Sequence, residues 1–280
     1  MSCCAQLVIR CVDTFGKYSR IYTRNRITRI MKRIISLAGL LMFSAQLVAQ
    51  DYIEISQNLL QAMRDGKNAD KYVQQIAEIN PAKLKSQIDT DKKKLAFWIN
   101  TYNGLIQYHL TKNPKLYEDR GDFFSDDLIT VAGQKVSFDN LEHGVLRRGT
   151  AKLSKGYFKN PFGDDWYEQY QVDKIDWRIH FALNCGAADC PPIRIYDDET
   201  IYEQLNASAN KYLKSQVKYD REEKEIYVPA LMNWFSGDFG GKSGVRNILE
   251  KNDYLKPGSD YDIEYKDYDW TLKLGTFYKD

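Results

Sequence analysis

The chain has 280 residues, with 40 Lys and Arg against 38 Asp and Glu. Eight of those bases and a single acid fall in the first fifty residues, so residues 51–280 carry 32 bases and 37 acids. That balance leaves no net basic field of the kind nucleic-acid phosphates demand, and the 230 residues concerned are enough to bury a core without disulfide staples.

The first element is a targeting pattern. Met31 to Gln50 places Lys32 and Arg33 before an apolar run, Ile34 to Phe43, and a small or polar run, Ser44 to Gln50. This is the plan of a secretory signal peptide. The apolar run is too short for the roughly 30 Å hydrocarbon core of a bilayer. A signal peptide starts at its own methionine, so residues 1–30 are expected to be an upstream extension, 31–50 the signal, and 51–280 one exported domain. That domain is expected in the periplasm or outside the cell, with no stable membrane span after cleavage.

Helical spacing dominates the next stretch. Apolar residues at intervals of three and four predict helices over Tyr52 to Met63, Lys71 to Ile79, Pro81 to Ile88 and Asp91 to Leu110. Asn80 stands ready to cap the third. Leu95, Trp98, Ile99, Tyr102, Ile106 and Leu110 form one stripe on the fourth. Leu128 to Ala132 and Gln134 to Phe138 then predict a hairpin around Gly133, and Asp139 to Arg148 a helix. Gly149 to Tyr170 reads as a long irregular excursion, a type of segment that is more often functional or mobile than core. Arg178 to Asn184 alternates polar and apolar residues as a strand does, although Asp176 would equally cap a helix. Asp198 to Leu213 reads as a helix, Gln216 to Asp220 with Glu225 to Val228 as a hairpin, and two short helices are expected near Met232 and Val245 to Leu249. Tyr261 to Tyr265 and Trp270 to Leu274 read as strands. The sum is an α+β single domain, its helical N-terminal half packed on a small, mostly antiparallel sheet.

Three segments hold polar residues that core patterning does not require. In the first, Asn100, Asn103 and Gln107 share one helical face and would orient a substrate or an imidazole, or else satisfy buried backbone groups. In the second, Glu142 and Arg147 flank His143 and have the means to orient and tune it. The third runs from His180 through Asn184, Cys185 and Gly186 to Cys190 and Pro192. Its small residues allow close backbone approach, suiting an oxyanion hole around a cysteine nucleophile or a turn pinned by a disulfide.

Cys185 and Cys190 are the two cysteines downstream of Met31; Cys3, Cys4 and Cys11 lie upstream. A Cys185–Cys190 bridge suits an exported protein and would stabilise by roughly 2 kcal/mol. For a free Cys185, His180 is a poor base. It would lie roughly 16 Å away along a strand, or about 140° around a helix. His143 is the better partner, with Asn100 or Asn103 orienting it. Zinc held by His143, His180, Cys185 and Cys190 has suitable ligand types but not the usual close pairs. Gly241-Lys242-Ser243 fails as a phosphate loop because Ser236 stands where that motif needs glycine. No cofactor motif is present.

The motifs Ala96 to Asn103, Leu141 to Arg147 and His180 to Pro192, with Leu231 to Phe239 and Tyr268 to Leu272 downstream, resemble domain of unknown function five-four-seven. The resemblance implies no established activity. Two functions stay open. One is a thiol-dependent hydrolase of amide or peptide bonds, with Cys185 as nucleophile, His143 as base, Asn100 or Asn103 orienting it, and Gly186 near the oxyanion. The other is a non-catalytic envelope domain binding a small molecule or peptide, with Cys185 and Cys190 bridged. Glu142, Arg147, His180, Asn184 and Gly186 are the candidate binding residues in either case.

Overall fold

Local signals in the sequence are enough to start and stop most helices of the structure, a computed structural model that describes residues 51–279. The expected extension and signal peptide lie outside the described residues. Asp51 caps α1 (Tyr52–Arg64) by accepting from Ile53 N at 2.9 Å. After α2 (Asp70–Ala77), Asn80 caps α3 (Pro81–Gln87), and Thr90 caps α4 (Asp91–Lys112). A 3-10 turn (Pro114–Tyr117) leads to α5 (Arg120–Ser125) and a hairpin, β1 (Ile129–Val131) with β2 (Gln134–Val136). A π-helix (Asn140–Leu146) follows, then a second 3-10 turn (Lys152–Ser154), α6 (Asp165–Glu168) and a third 3-10 turn (Trp177–Phe181). The chain continues through α7 (Ile201–Gln216), β3 (Lys218–Asp220), β4 (Glu225–Val228), α8 (Leu231–Trp234), α9 (Gly241–Lys251) and β5 (Asp262–Tyr265).

This is an α+β single domain. Its strands form two small sheets: β1 pairs antiparallel with β2, and β4 takes β3 antiparallel on one side and β5 parallel on the other. Asp51–Asp280 cluster as one compact unit. Two apolar clusters fill it. The larger gathers α1 to α4, the β1–β2 hairpin and the π-helix, and the smaller gathers α7, β4, α8, α9 and β5. Among the described residues no helix is long and apolar enough to cross a membrane.

Two expected strands take other forms. Arg178 to Asn184 is not a strand: Asp176 caps a 3-10 turn over Trp177–Phe181, accepting from Arg178 N at 3.0 Å. The alternation that suggested a strand has a different origin. Residues two apart on a three-per-turn helix point about 240° from each other, and here Ile179 enters the larger cluster while Phe181 enters the smaller. Over Trp270 to Leu274 the only pairing is one antiparallel bridge, Leu272 with Ala187.

The central helix α4 explains its own amides. Every residue from Leu95 to Gln107 is buried, so the helix is enclosed on all sides rather than along one stripe. Side-chain amides in such a place must find partners, because an unsatisfied buried group costs about 1–3 kcal/mol. Asn100 donates to Tyr196 O (2.8 Å) and accepts from Tyr196 N (2.9 Å). Asn103 donates to Ala182 O and accepts from Asn184 N, both at 2.8 Å. Gln107 accepts from Gly275 N at 2.9 Å and donates to Asn184 Oδ1 at 3.3 Å. The amide stripe is therefore a row of backbone clamps fixing the 182–196 segment and the C-terminal tail.

Substituting Asn103→Ala orphans the Ala182 carbonyl and the Asn184 amide together, so a loss of roughly 2–5 kcal/mol is expected in urea unfolding. A loss below about 0.5 kcal/mol, the usual size at unremarkable surface sites, would show that the clamp is dispensable.

Candidate functional site

Beside the clamps, the π-helix, the third 3-10 turn, α8 and the C-terminal tail surround a cleft of about 400 Å³. Its polar lining is Tyr102, Arg120, Asp139, Glu142, His143, Lys152, His180 and Tyr268, with the Cys185–Cys190 bridge in the wall. Phe124, Trp234, Phe235 and Trp270 supply aromatic faces.

The deepest layer is a charge network that the cleft residues lean on. Arg147 is fully buried at the end of the π-helix, where its backbone N–H donates to Glu142 O at 2.9 Å, the i to i+5 bond of that helix type. Its Nε donates to Asp238 Oδ2 at 2.5 Å, and Nη1 donates to His143 Nδ1 at 2.7 Å. Phe235 lies under the guanidinium, 4.6 Å from its ring centroid. Asp238 Oδ2 also accepts from His180 Nε2 at 2.8 Å, and His180 stacks on Phe235 at 3.9 Å. Gly237 admits this junction: a Cβ there would stand 2.5 Å from the Gly156 carbonyl carbon, and Gly237 N donates to Lys155 O.

This network assigns the protons. A guanidinium can only donate, so His143 Nδ1 accepts, and its single proton in the neutral state sits on Nε2. Asp238 Oδ2 accepts, so neutral His180 carries its proton on Nε2 and keeps Nδ1 as a lone pair. Burial pushes the pKa of both imidazoles below the ordinary 6.5, against the pull of Glu142 on His143 and of Asp238 on His180. Burial also opposes the charge of Asp238, but the hydrogen bonds from His180 and Arg147 outweigh it and hold its pKa below the usual carboxylate value. Glu142 is held low in the same way, with burial overcome by the nearby His143 and Arg147. Tyr102 OH donates to Glu142 Oε2 at 2.9 Å. Asp139, with burial as the main cause, is raised, and it receives Lys152 Nζ at 2.7 Å.

The sulfur-bearing turn is equally tied down. Cys185 and Cys190 are bridged, with their Cα atoms 6.2 Å apart. Asn184 spans the loop, donating to Pro191 O at 2.8 Å and accepting from Gly186 N at 3.0 Å. Gly186 sits at φ +89, a left-handed conformation suited to glycine. The tail holds the loop from outside through Ala188 N to Thr271 O and Lys273 N to Gly186 O. Tyr268 OH donates to Cys190 Sγ at 3.2 Å.

Several expected roles change accordingly. Cys185, His143, Glu142 and His180 do share one cleft. In the bridged protein, however, Cys185 has no thiol to attack with. His143 is no base through Nδ1, which Arg147 occupies. Asn100 and Asn103 orient no imidazole, since both are spent on backbone. The Gly186 amide is spent on Asn184, so it is no oxyanion donor. His180, a poor base on the geometry of a regular strand or helix, lines the same cleft as Cys185 because it sits in a 3-10 turn that ends at Phe181, with irregular chain between. Among the described residues no group of three His, Cys, Asp or Glu side chains is arranged to hold a metal ion. Asp238, Tyr268 and Arg120 carry no spacing signal that marks them in advance, although Asp238 lies within the Leu231 to Phe239 motif and Tyr268 opens the Tyr268 to Leu272 motif.

Residues 86–213 match the model of the family described as protein of unknown function, DUF547. That is the family the motifs resemble. The match takes in α4, the π-helix and the disulfide loop of the cleft, while Asp238, Tyr268 and Trp270 come from beyond it. No curated protein and no solved structure matches the chain.

Asp238→Ala leaves Arg147 charged, buried and without its carboxylate, so a loss of about 3–5 kcal/mol is expected in urea unfolding. An unchanged midpoint would mean the network contributes nothing. Acid should weaken the protein in two steps. The histidines, with folded pKa values below 6.5, contribute stability that is present above pH 6.5 and lost as pH falls through their depressed values. Glu142 and Asp238 add a second loss below their unfolded values of 4.5 and 3.8, with Asp139 acting in the opposite sense. Unfolding free energies flat from about pH 7 down to pH 5 would contradict the first step.

Proposed function

We propose that this is an exported ligand-binding protein whose cleft takes a small molecule or peptide end bearing both an anionic group and a cationic or hydrogen-bond-donating group. The observation that carries the reading is the pairing of two incompletely used charges in one cleft. Glu142 is ionised and receives a hydrogen bond on Oε2 alone among the described residues. Arg120 rests over the rings of Tyr117 and Trp270, 5.3 and 5.2 Å from their centroids, and its guanidinium makes no hydrogen bond or ion pair among the described residues. A guanidinium fork with free donors fits a carboxylate or phosphate. An apolar cleft with a few convergent polar groups is the usual form of a small-molecule site. Export is supported by the Met31 to Gln50 pattern and by a bridge that persists in oxidising compartments.

Thermal unfolding in the presence of free amino acids, dipeptides and dicarboxylates tests the reading. At least one compound carrying both charges should raise the melting temperature. Both Arg120→Ala and Glu142→Gln should abolish that rise. A panel without effect, or a rise that survives both substitutions, would remove the proposal.

One observation favours a second reading, a thiol-dependent hydrolase of amide or peptide bonds. Neutral His180, with its Nε2 proton held on Asp238, keeps Nδ1 as a proton acceptor in the cleft that Cys185 lines. After reduction of the bridge, Cys185 would be the nucleophile, with His180 rather than His143 as base. Counting thiols on denatured, unreduced protein decides between the two. A bridged pair supports the binding protein. Two free thiols at positions 185 and 190, with Cys185 alkylated by iodoacetamide faster than an ordinary thiol and slowed by His180→Asn, would support the hydrolase.

A further inference from the structure

The excursion after the π-helix has a property that neither the cleft nor the core uses. Leu153 is 95% exposed, Phe162 85% and Phe158 73%, and Tyr157 is exposed as well. Large apolar side chains scattered singly are ordinary, but four within ten residues on one surface loop mark an interaction site. The loop is not frayed. Ala151 N donates to Phe158 O (2.9 Å), Asn160 N to Gly149 O (2.7 Å), and Thr150 pairs with Lys159. Gly237 N anchors Lys155 O at 2.7 Å. The apolar side chains are thus displayed by a tied backbone.

Charge identifies the partner. From His143 to Gly163 the sequence holds Arg147, Arg148, Lys152, Lys155 and Lys159 and no Asp or Glu, although residues 51–280 as a whole are acidic. Arg147 is buried in the charge network, and Lys152 is matched by Asp139. Arg148 is exposed, Lys155 Nζ donates only to the Asn233 side chain, and Lys159 Nζ donates to the Arg147 and Arg148 carbonyls, so these three keep their charge unneutralised. Cations beside protruding Leu and Phe side chains are the composition of a surface that lies in the headgroup layer of an anionic membrane. Nucleic acid would use the cations and stack on the rings, but it has no use for the aliphatic Leu153.

We propose that the 148–162 loop docks the protein on an anionic lipid surface, with Leu153, Phe158 and Phe162 entering the interface and Arg148, Lys155 and Lys159 meeting lipid phosphates. Lys152 lines the cleft and belongs to the same loop, so docking would bring the cleft mouth to the membrane surface.

Amide hydrogen exchange of the full chain with phosphatidylglycerol vesicles, and with phosphatidylcholine vesicles as the neutral control, reads the loop itself whatever other segment touches lipid. Exchange over residues 150–162 should slow with the anionic vesicles alone. The triple variant Leu153→Ser, Phe158→Ser, Phe162→Ser should lose that protection and keep the wild-type melting temperature, the side chains being exposed. Lys155→Glu with Lys159→Glu should reduce it at least tenfold in vesicle concentration. Exchange over 150–162 unaltered by anionic vesicles would overturn the proposal. So would equal protection by phosphatidylcholine, by single-stranded DNA, or by raising the protein concentration without lipid, which would assign the loop to a neutral interface, a polyanion or a second copy of the chain.

Discussion

One carboxylate oxygen, Asp238 Oδ2, joins three of the pieces of chain that surround the cleft. It receives Arg147 from the π-helix and His180 from the 3-10 turn, while Asp238 itself follows α8. Arg147 in turn holds His143. Removing two charges from water is costly, and Arg147 Nη2 and Asp238 Oδ1 remain buried without a partner among the described residues. Here the ion pair serves both to hold segments together and to fix the tautomers of two imidazoles. His143 is left presenting a proton, and His180 a lone pair.

The same demand for satisfaction shapes the fold around α4. A helix buried on every side has no wet face on which to leave an amide. Asn100, Asn103 and Gln107 therefore act as substitute backbone, pairing with peptide groups that no sheet is available to pair. Asn184 extends the pattern into the disulfide loop, joining the clamp row to the cleft wall. The core in this way braces the wall of the cleft.

The bridge and the network give the cleft its character. With both sulfurs joined and the loop amide of Gly186 spent, the wall formed by residues 185–190 is chemically quiet. Reactivity rests with ionised Glu142, with the two neutral imidazoles and with Arg120 at the aromatic lip. These are groups that recognise charge and hydrogen bonds, and the proposed binding function rests on them.

The sequence by itself determined the longer helices α1 to α4 and α7, because caps such as Asp51, Asn80 and Thr90 and the three-and-four spacing of apolar residues act over a few neighbours, while the short α5 and α6 left no such pattern. It also carried the family resemblance, through motifs contiguous along the chain, and the short list of polar residues that core packing does not need. Tertiary structure alone decided what those residues do. Whether Asn103 faces an imidazole or a peptide group depends on what surrounds α4, and whether alternation at Arg178 to Phe181 means a strand depends on two cores lying on either side of it. Asp238 acquires its importance only from Arg147 and His180, 91 and 58 residues away, and Arg120 from the Trp270 ring, which lies far along the chain. Local pattern carries no record of such distances, because the energy that fixes them is desolvation in a space enclosed by many segments at once.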